Sequence, residues 1–170
     1  NYLILAKHTA MASVEIAENS GDKKALAIPL FNLAKSQDTL GEFKDAVNTY
    51  KRALENITNN PPDEHKVQER PAIIADFKIH LETASYKAGD KSALERAEQA
   101  LSELEAQPDI SDYNQNVWVS GGHMKIAEML REDNPQKAKE HLEAAKKIID
   151  SDNRLTLRKN QWDKLAQQFS

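Results

Sequence analysis

The segment LGEFKDAVNTYKRALENI, residues 40–57, decides the fold of this chain. It carries Gly41 and Phe43 near its start, followed by Ala46 and Ala53 seven residues apart with Tyr50 between them. On an α-helix these three positions share one face, because residues three and four apart are neighbours. Small residues let a second helix approach closely, and the ring fills the space beside them. The segment therefore predicts a helix packed tightly against a neighbour.

The same order of small, apolar and small residues occurs three more times in the chain. The first alanines of the four copies are separated by 36, 47 and 45 residues. Periods of this size are typical of helical repeat arrays, in which each unit is a pair of helices. The further copies are Ala10/Val14/Ala17, Ala93/Ala97/Ala100 and Ala138/Leu142/Ala145.

The composition favours helices over strands. Charged residues make up 29% of the 170 residues and aromatic residues 6%, with only 5 glycines and 6 prolines. A sandwich or barrel needs more aromatic, β-branched and turn residues. The length allows one sizeable core, so we predict a single domain over residues 1–170. Because the chain begins at Asn1 and not at Met, we expect it to be a fragment of a longer chain.

Clusters of Gly, Pro, Asn and Asp divide the chain into segments whose apolar residues recur at the helical period. Short connections between these segments favour antiparallel neighbours. Pro29 predicts a kink in the second helix. Gly121 and Gly122, inside the sixth helix, indicate close helix packing or a local break, with a hinge or ligand approach as the alternative. The eight predicted helices span residues 2–19, 23–39, 42–58, 67–88, 91–106, 112–131, 135–150 and 153–169.

Residues 27–57, AIPLFNLAKSQDTLGEFKDAVNTYKRALENI, resemble a unit of the tetratricopeptide repeat (TPR) family. The run GDKKALAIPLFNLA at 21–34 is similar to the joint between repeats in longer-period members, such as kinesin light chains and bacterial regulators. Gly89 repeats the turn glycine in the next unit, whereas Asp133 replaces it in the last. The residues at the family's packing and turn positions are Leu30, Leu33, Ala34, Gly41, Phe43, Ala46, Tyr50, Ala53 and Leu54.

The resemblance implies an all-α, right-handed solenoid of antiparallel helix pairs. Residues 1–19 would be the second helix of a preceding repeat, and helix pairs would follow at 23–58, 67–106 and 112–150. The last helix, residues 153–169, would cap the stack, because a solenoid must cover the apolar side of its terminal unit. The apolar residues expected to do so are Leu155, Leu157, Trp162, Leu165 and Phe169.

No chemical motif in the sequence indicates catalysis, so we expect a binding protein and not an enzyme. The chain has no cysteine, no nucleophile motif and no phosphate-binding glycine loop. None of the five histidines lies three to five residues from another, and we predict no metal and no cofactor. A site of converging carboxylates, which acid–base catalysis would need, is the third hypothesis behind binding and assembly.

Charge and hydropathy narrow the class of partner. The net charge of −4 is spread along the chain and provides no basic face for nucleic acid. No apolar run has the length of a membrane span, so we expect no membrane insertion. A secretory signal is also missing at the N-terminus, which favours a cytoplasmic location.

The family resemblance implies a concave groove lined by the first helix of each pair. In chaperone-binding members, lysines, arginine and asparagines clamp a terminal carboxylate, but here Asp76, His80 and Met124 stand near those positions. The resemblance therefore does not imply such a clamp. The groove candidates are Phe31, Asn32, Lys35, Asp38, Asp76, Ile79, His80, Thr83, Tyr86, Lys87, His123 and Arg131.

Rings, amides and both charges are mixed in this set, which suits an extended peptide or a partner helix. Lys35 and Lys87 can meet carboxylates, and Asn32 can bridge backbone amides. Phe31 and Ile79 fit the helix core equally well. We therefore expect a scaffold module that binds a protein or peptide, with no covalent chemistry. The alternatives are a peptide-sensing regulatory domain of a larger protein and a self-assembly element that forms homo-oligomers through the first helix.

Overall fold

The computed structural model describes residues 2–108 and 110–169. These ranges are all-helical, with eight α-helices and no strand, and neighbouring helices pack in sequence order. The predicted all-α solenoid is thus confirmed. The helices are α1 (Tyr2–Ser20), α2 (Ala27–Thr39), α3 (Phe43–Asn59), α4 (Arg70–Lys87), α5 (Ala93–Glu105), α6 (Asp112–Leu130), α7 (Pro135–Ser151) and α8 (Thr156–Ala166).

The second helix begins later than the predicted residue 23. Lys23–Ala25 form a separate 3₁₀ turn, which Asp22 caps by accepting a hydrogen bond from the backbone N–H of Lys24. Because α2 begins at Ala27, Pro29 lies in its first turn. A first-turn residue does not need its N–H for the helix, so proline is tolerated there. The kink predicted at Pro29 assumed a helix that begins at residue 23, and this prediction is therefore wrong.

Two other boundaries differ from the predictions for similar reasons. Val67–Glu69 form a 3₁₀ turn, and α4 begins at Arg70 with Pro71 in its first turn, a position proline favours. At the C-terminal end, α8 starts at Thr156 and is followed by the 3₁₀ turn Gln167–Phe169. Apolar spacing continued across these turns, so it could not mark where the helical hydrogen bonds stop.

The alanine pattern marks the helix contacts. Every residue of the four small–apolar–small copies is buried, with at most 7% of its surface exposed. The ring of Tyr50 on α3 lies between Phe31 of α2 and His80 of α4, at centroid distances of 5.6 and 5.8 Å. Each second helix thus packs on its own partner and on the first helix of the next pair.

Gly41 and Gly89 end the first helices of two pairs with the same turn. Their φ angles are +80° and +113°, a region in which glycine carries no steric penalty. After α2, the N–H of Gly41 donates to Asp38 O at 3.0 Å and the N–H of Glu42 donates to Gln37 O at 2.9 Å. This pair of hydrogen bonds defines a Schellman motif, and the turn at Gly89 repeats it.

The third pair closes differently because Asp133 replaces the turn glycine. Its carboxylate accepts a hydrogen bond from the hydroxyl of Tyr86 at 2.8 Å and forms an ion pair with Lys91. Tyr86 lies in the last turn of α4, so the contact joins the end of α4 to the α6–α7 turn. The Asp133 side chain therefore connects two helix pairs, whereas Gly41 and Gly89 form hydrogen bonds only within their own turns.

The ends of the helical stack differ in how they are covered. α8 packs against α6 and α7, with Leu155 and Leu165 buried and the indole N–H of Trp162 donating to Leu142 O at 2.8 Å. Leu157 is 70% exposed, so the expectation that it covers the core is wrong. At the other end, α1 leaves several large apolar side chains in solvent.

Gly122 is explained by close helix packing. A Cβ atom at this position would lie 2.9 Å from Leu101 and 3.1 Å from Ile79, closer than ordinary van der Waals contact. α6 therefore approaches α4 and α5 closely at Gly122, which has no side chain.

None of the described helices is both long enough and apolar enough to cross a membrane.

We predict that Ala46→Leu lowers the free energy of unfolding by about 1–3 kcal/mol, because the added atoms must enter a fully packed helix contact. Urea unfolding followed by circular dichroism measures the change. Ala12→Leu is the matched control, since Ala12 is exposed on α1 and has room for the larger side chain. Equal stability of the two variants would contradict the packing role of the alanine pattern.

Candidate functional site in the central groove

The first helices of the three pairs converge with α8 on one groove of about 610 Å³, which we call the central groove. α2, α4 and α6 form its walls and floor, and α8 lies along one side. The side chains that define its chemistry are Phe31, Lys35, Asp76, His80, Trp118, Met124, Lys125, Glu128, Arg158 and Lys164.

An aromatic cluster forms the floor of the central groove. The ring of Phe31 stacks on Phe77, with centroids 4.0 Å apart and planes inclined by 13°, and it meets His80 edge-on at 4.8 Å. The hydroxyl of Tyr50 lies 3.4 Å from His80 Nδ1. Burial, reinforced by the nearby lysines and Arg158, holds the pKa of His80 well below its usual value. The imidazole is therefore neutral at physiological pH, and its ring position is set by packing.

Asp76 is a mostly buried carboxyl on this floor, with 19% of its side chain exposed. Burial raises its pKa to about 6, against the opposing charges of Lys35, Arg158 and Lys125. The neutral His80 lies beside it, with Nε2 3.9 Å from Oδ1. Within residues 2–108 and 110–169, no side chain or backbone N–H donates a hydrogen bond to this carboxyl. Asp76 is therefore close to its titration point near neutral pH.

Asp38 has the opposite electrostatic environment. Its side chain is almost fully buried and pairs with Lys87 Nζ at 3.1 Å and with Lys125 Nζ at 2.8 Å. Burial by itself would raise the pKa of Asp38, but the two lysines more than compensate and lower it. Because these three residues belong to α2, α4 and α6, one carboxylate joins the first helices of all three pairs.

Arg158 brings a cation from α8 into the central groove. Its Nη2 donates to the carbonyl of Val117 at 2.9 Å, and its Nη1 donates to Gln161 Oε1 at 2.8 Å. A Cβ atom on Gly121 would lie 3.0 Å from Nη2, so glycine leaves the space that the guanidinium occupies. Burial lowers the pKa of Arg158, with Asp76 acting in the opposite direction.

The central groove has a surplus of positive charge in a chain whose net charge is −4. Lys35 on α2 lies with its Nζ 5.8 Å from the centre of the Phe31 ring. Partial burial in the groove lowers the pKa of Lys35, and the neighbouring Lys125 lowers it further. Crowded cations of this kind favour the binding of an anion.

An apolar depression of about 720 Å³ between α1 and α2 adjoins the central groove. Lys35 and Thr39 line both, so the two surfaces are continuous. The α1–α2 depression is lined by Tyr2, Leu5, Ile28 and other residues that are mostly apolar or small. The combined surface therefore has one apolar part and one cationic part.

The structure brings most of the predicted groove residues together, on three adjoining surfaces. Phe31, Lys35, Asp76 and His80 line the central groove, and Asn32 lines the α1–α2 depression. A smaller depression of about 410 Å³ next to the central groove is lined by Asp38, Lys87, Arg131 and their neighbours.

Four predicted residues lie elsewhere. Ile79 and Thr83 are fully buried in the helix core, and Tyr86 is bound to Asp133 at the repeat turn. His123 faces α7, where its Nδ1 lies 2.9 Å from the Nδ1 of His141. Each of the four packs or forms hydrogen bonds outside the groove. A shift of one residue turns a helical side chain by about 100°, so a small error in the predicted register moves a residue out of the groove.

Two histidines and two glutamates form a chain of contacts across α5, α6 and α7. His123 Nε2 lies 3.1 Å from Glu105, and His141 Nε2 lies 3.3 Å from Glu98. Burial and the neighbouring His141 lower the pKa of His123. Among the described residues, no group of three or more His, Asp or Glu side chains has an arrangement suited to a metal ion.

Sequence reasoning missed Trp118, Lys125 and Arg158, all of which line the central groove. Met124 was assigned the family's groove position, and Lys125, the next residue, also reaches the groove. Arg158 lies on the helix that was assigned only to capping. The available signal for it was Gly121, whose missing side chain indicates that another group occupies that space.

No model of a known protein family matches this chain, and a search of curated proteins finds no significant relative.

We expect Asp38→Asn to lower the free energy of unfolding by about 1–3 kcal/mol at neutral pH, because it leaves two partly buried lysines without their counter-ion. The pKa of Asp38 is lower in the folded protein than its usual 3.8. Its stabilising contribution is therefore present above that value and is lost as the pH falls through the folded pKa. The difference in the free energy of unfolding between wild type and variant should therefore narrow below about pH 4.

Thermal unfolding across the pH range provides this measurement. Asp45→Asn is the matched control, since Asp45 is exposed on α3. A stability gap that does not change with pH would show that the ion pairs of Asp38 do not stabilise the fold.

Proposed function

We propose that this chain is a TPR-like module that binds a segment of another protein in the central groove. The observation that carries the proposal is the convergence of α2, α4, α6 and α8 on one surface with a rigid aromatic floor and a cationic wall. Repeat proteins of stacked helix pairs use such surfaces for recognition. The resemblance of residues 27–57 to the TPR family supports the same proposal.

The rigidity of the groove favours recognition by a preformed surface. Phe31, Phe77, Tyr50 and His80 hold one another in place through ring contacts. A surface that is ordered before binding loses little conformational entropy on association. Trp118 and Met124 add apolar area at the rim, and large side chains of this kind often dominate binding energy.

The shape of the surface favours an extended ligand. The central groove continues through Lys35 and Thr39 into the α1–α2 depression, so the surface crosses five helices. A small molecule would occupy only part of this area. A peptide segment can place apolar side chains in the α1–α2 depression and polar side chains in the central groove.

Peptide-library panning tests the proposal. We expect wild type to enrich a consensus peptide and Lys35→Glu to lose it, because Lys35 lines both parts of the surface. Lys35 is a better position for the test than Lys87, whose ion pair with Asp38 also supports the fold. The matched control is Lys51→Glu, since Lys51 is exposed on α3 and lines none of these three surfaces.

Circular dichroism establishes that all three proteins are equally folded. Loss of binding in Lys35→Glu with retention in Lys51→Glu supports the groove as the binding site. If no peptide is enriched, or if the two variants bind alike, the proposal is wrong.

Self-association through α1 is the second candidate function. The observation that favours it is the exposed apolar face of this helix, on which Leu5 is 63% and Ile16 is 71% exposed. These residues are eleven positions apart and therefore lie on one side of the helix. Apolar side chains grouped in this way are typical of contact surfaces.

We expect Leu5→Lys/Ile16→Lys to abolish any concentration-dependent increase in mass, because two charges replace the apolar contact. Multi-angle light scattering over a range of protein concentrations provides the measurement. Leu157→Lys is the control, since Leu157 is equally exposed at the other end of the stack. A wild-type mass that does not change with concentration would exclude this candidate.

A further inference from the structure

We infer that Lys35, Lys125 and Arg158 form a carboxylate-binding subsite in the central groove, and that Asp76 is its internal counter-ion, which an acidic side chain of the bound segment replaces. The inference rests on the proposed function, because it names the chemistry of the ligand that the same groove binds. Position comparison with the TPR family implied no carboxylate clamp here. The subsite joins Lys35, a predicted groove residue, to Lys125 and Arg158, which the resemblance does not place in the groove.

The first support is the distribution of charge around Asp76. Lys35 of α2, Lys125 of α6 and Arg158 of α8 line the same groove as Asp76 of α4. Lys125 is also paired with Asp38, so Lys35 and Arg158 are the two cations of this set that form no ion pair among the described residues. Two cations without an ion pair, beside a carboxyl that accepts no hydrogen bond from them, leave room for a second anion.

The second support is the incomplete hydrogen bonding of these groups. No hydrogen bond between Asp76 and any of the three cations is present in the described part of the chain. The Nε of Arg158 is buried and has no hydrogen-bond partner there, although most buried polar atoms in proteins are paired. Among the described residues, the Nζ of Lys35 forms no hydrogen bond and no ion pair. It makes a cation–π contact with the Phe31 ring. Lys35 thus has hydrogen-bond donors in the groove that no described residue uses.

The third support is that Asp76 can lose its charge near neutral pH. The charged and titratable groups around it are Lys35 and Asp38 on α2, Tyr50 on α3, His80 on α4, Lys125 and Glu128 on α6, and Arg158 and Lys164 on α8.

Of the groups that line the floor, His80 stays neutral because its pKa is strongly lowered, and Tyr50 stays protonated because burial raises its pKa. Burial raises the pKa of Asp76 to about 6. Below this pH the carboxyl is mostly neutral and no longer competes with a ligand carboxylate for Lys35 and Arg158. Above it, Asp76 competes with the ligand, so affinity for an acidic segment falls as the pH rises.

The test uses two short fluorescein-labelled peptides, one alternating leucine with glutamate and the other alternating leucine with glutamine. Fluorescence anisotropy measures their dissociation constants between about pH 5 and pH 8, a range that includes the titration of Asp76. We expect the glutamate peptide to bind about tenfold more tightly than the glutamine peptide, since a charge-assisted pair contributes an energy of that order. This preference should increase at acidic pH.

Two variants separate the roles of the groups. Asp76→Asn should strengthen binding of the glutamate peptide at neutral pH and remove the pH dependence around pH 6, whereas the exposed control Asp45→Asn should change neither. A misfolded protein would not gain affinity, so this result cannot come from loss of structure. Arg158→Gln should weaken binding of the glutamate peptide, and Arg158→Lys should restore part of it.

The possible failures can be distinguished. Equal binding of the two peptides, or no gain of affinity in Asp76→Asn, would overturn the carboxylate subsite and leave groove binding intact. If neither peptide binds and panning also enriches no peptide, both this inference and the proposed function are wrong.

Discussion

The close contact at alanine between neighbouring helices is the constraint on which the rest of the structure depends. Ala46 and Ala53 are fully buried on α3, and the same is true of Ala93 and Ala97 on α5. A larger side chain at these positions would separate the second helix from its neighbours. Because each second helix contacts both its own partner and the next pair, the repeated alanines determine how successive pairs stack, and so where the first helices meet.

The central groove follows from this stacking, and so does its unusual electrostatics. Three first helices lie close together, which brings Asp38 within reach of lysines on two other helices and places Asp76 among three cations. The two carboxyls respond in opposite ways: strong pairing lowers the pKa of Asp38, whereas burial without direct hydrogen bonds raises that of Asp76. Asp38 stabilises the fold, whereas we infer that a ligand carboxylate can take the place of Asp76 as the counter-ion of the groove cations.

Sequence reasoning was most reliable where a local pattern has one physical meaning. The spacing of alanines predicted the buried helix faces, and the glycines at 41 and 89 marked turns that need a positive φ. It was weaker at helix starts, because apolar spacing runs through a 3₁₀ turn such as Lys23–Ala25. For the candidate groove it found Phe31 and Asp76 but also included Thr83, which is buried in the core. Successive side chains on a helix point about 100° apart, so an error of one residue in the register assigns a core residue to the groove.

The sequence by itself determined the helical class and the faces that the helices bury, because these depend on the spacing of side chains within one or two turns of the chain. Only the tertiary structure decided which charges share the groove. Lys35, Asp76, Lys125 and Arg158 are spread over more than a hundred residues and meet because four helices converge. The pairing of His123 with His141 has the same origin. No local spacing rule connects such residues, since their interaction depends on distances and burial that exist only after the helices have packed.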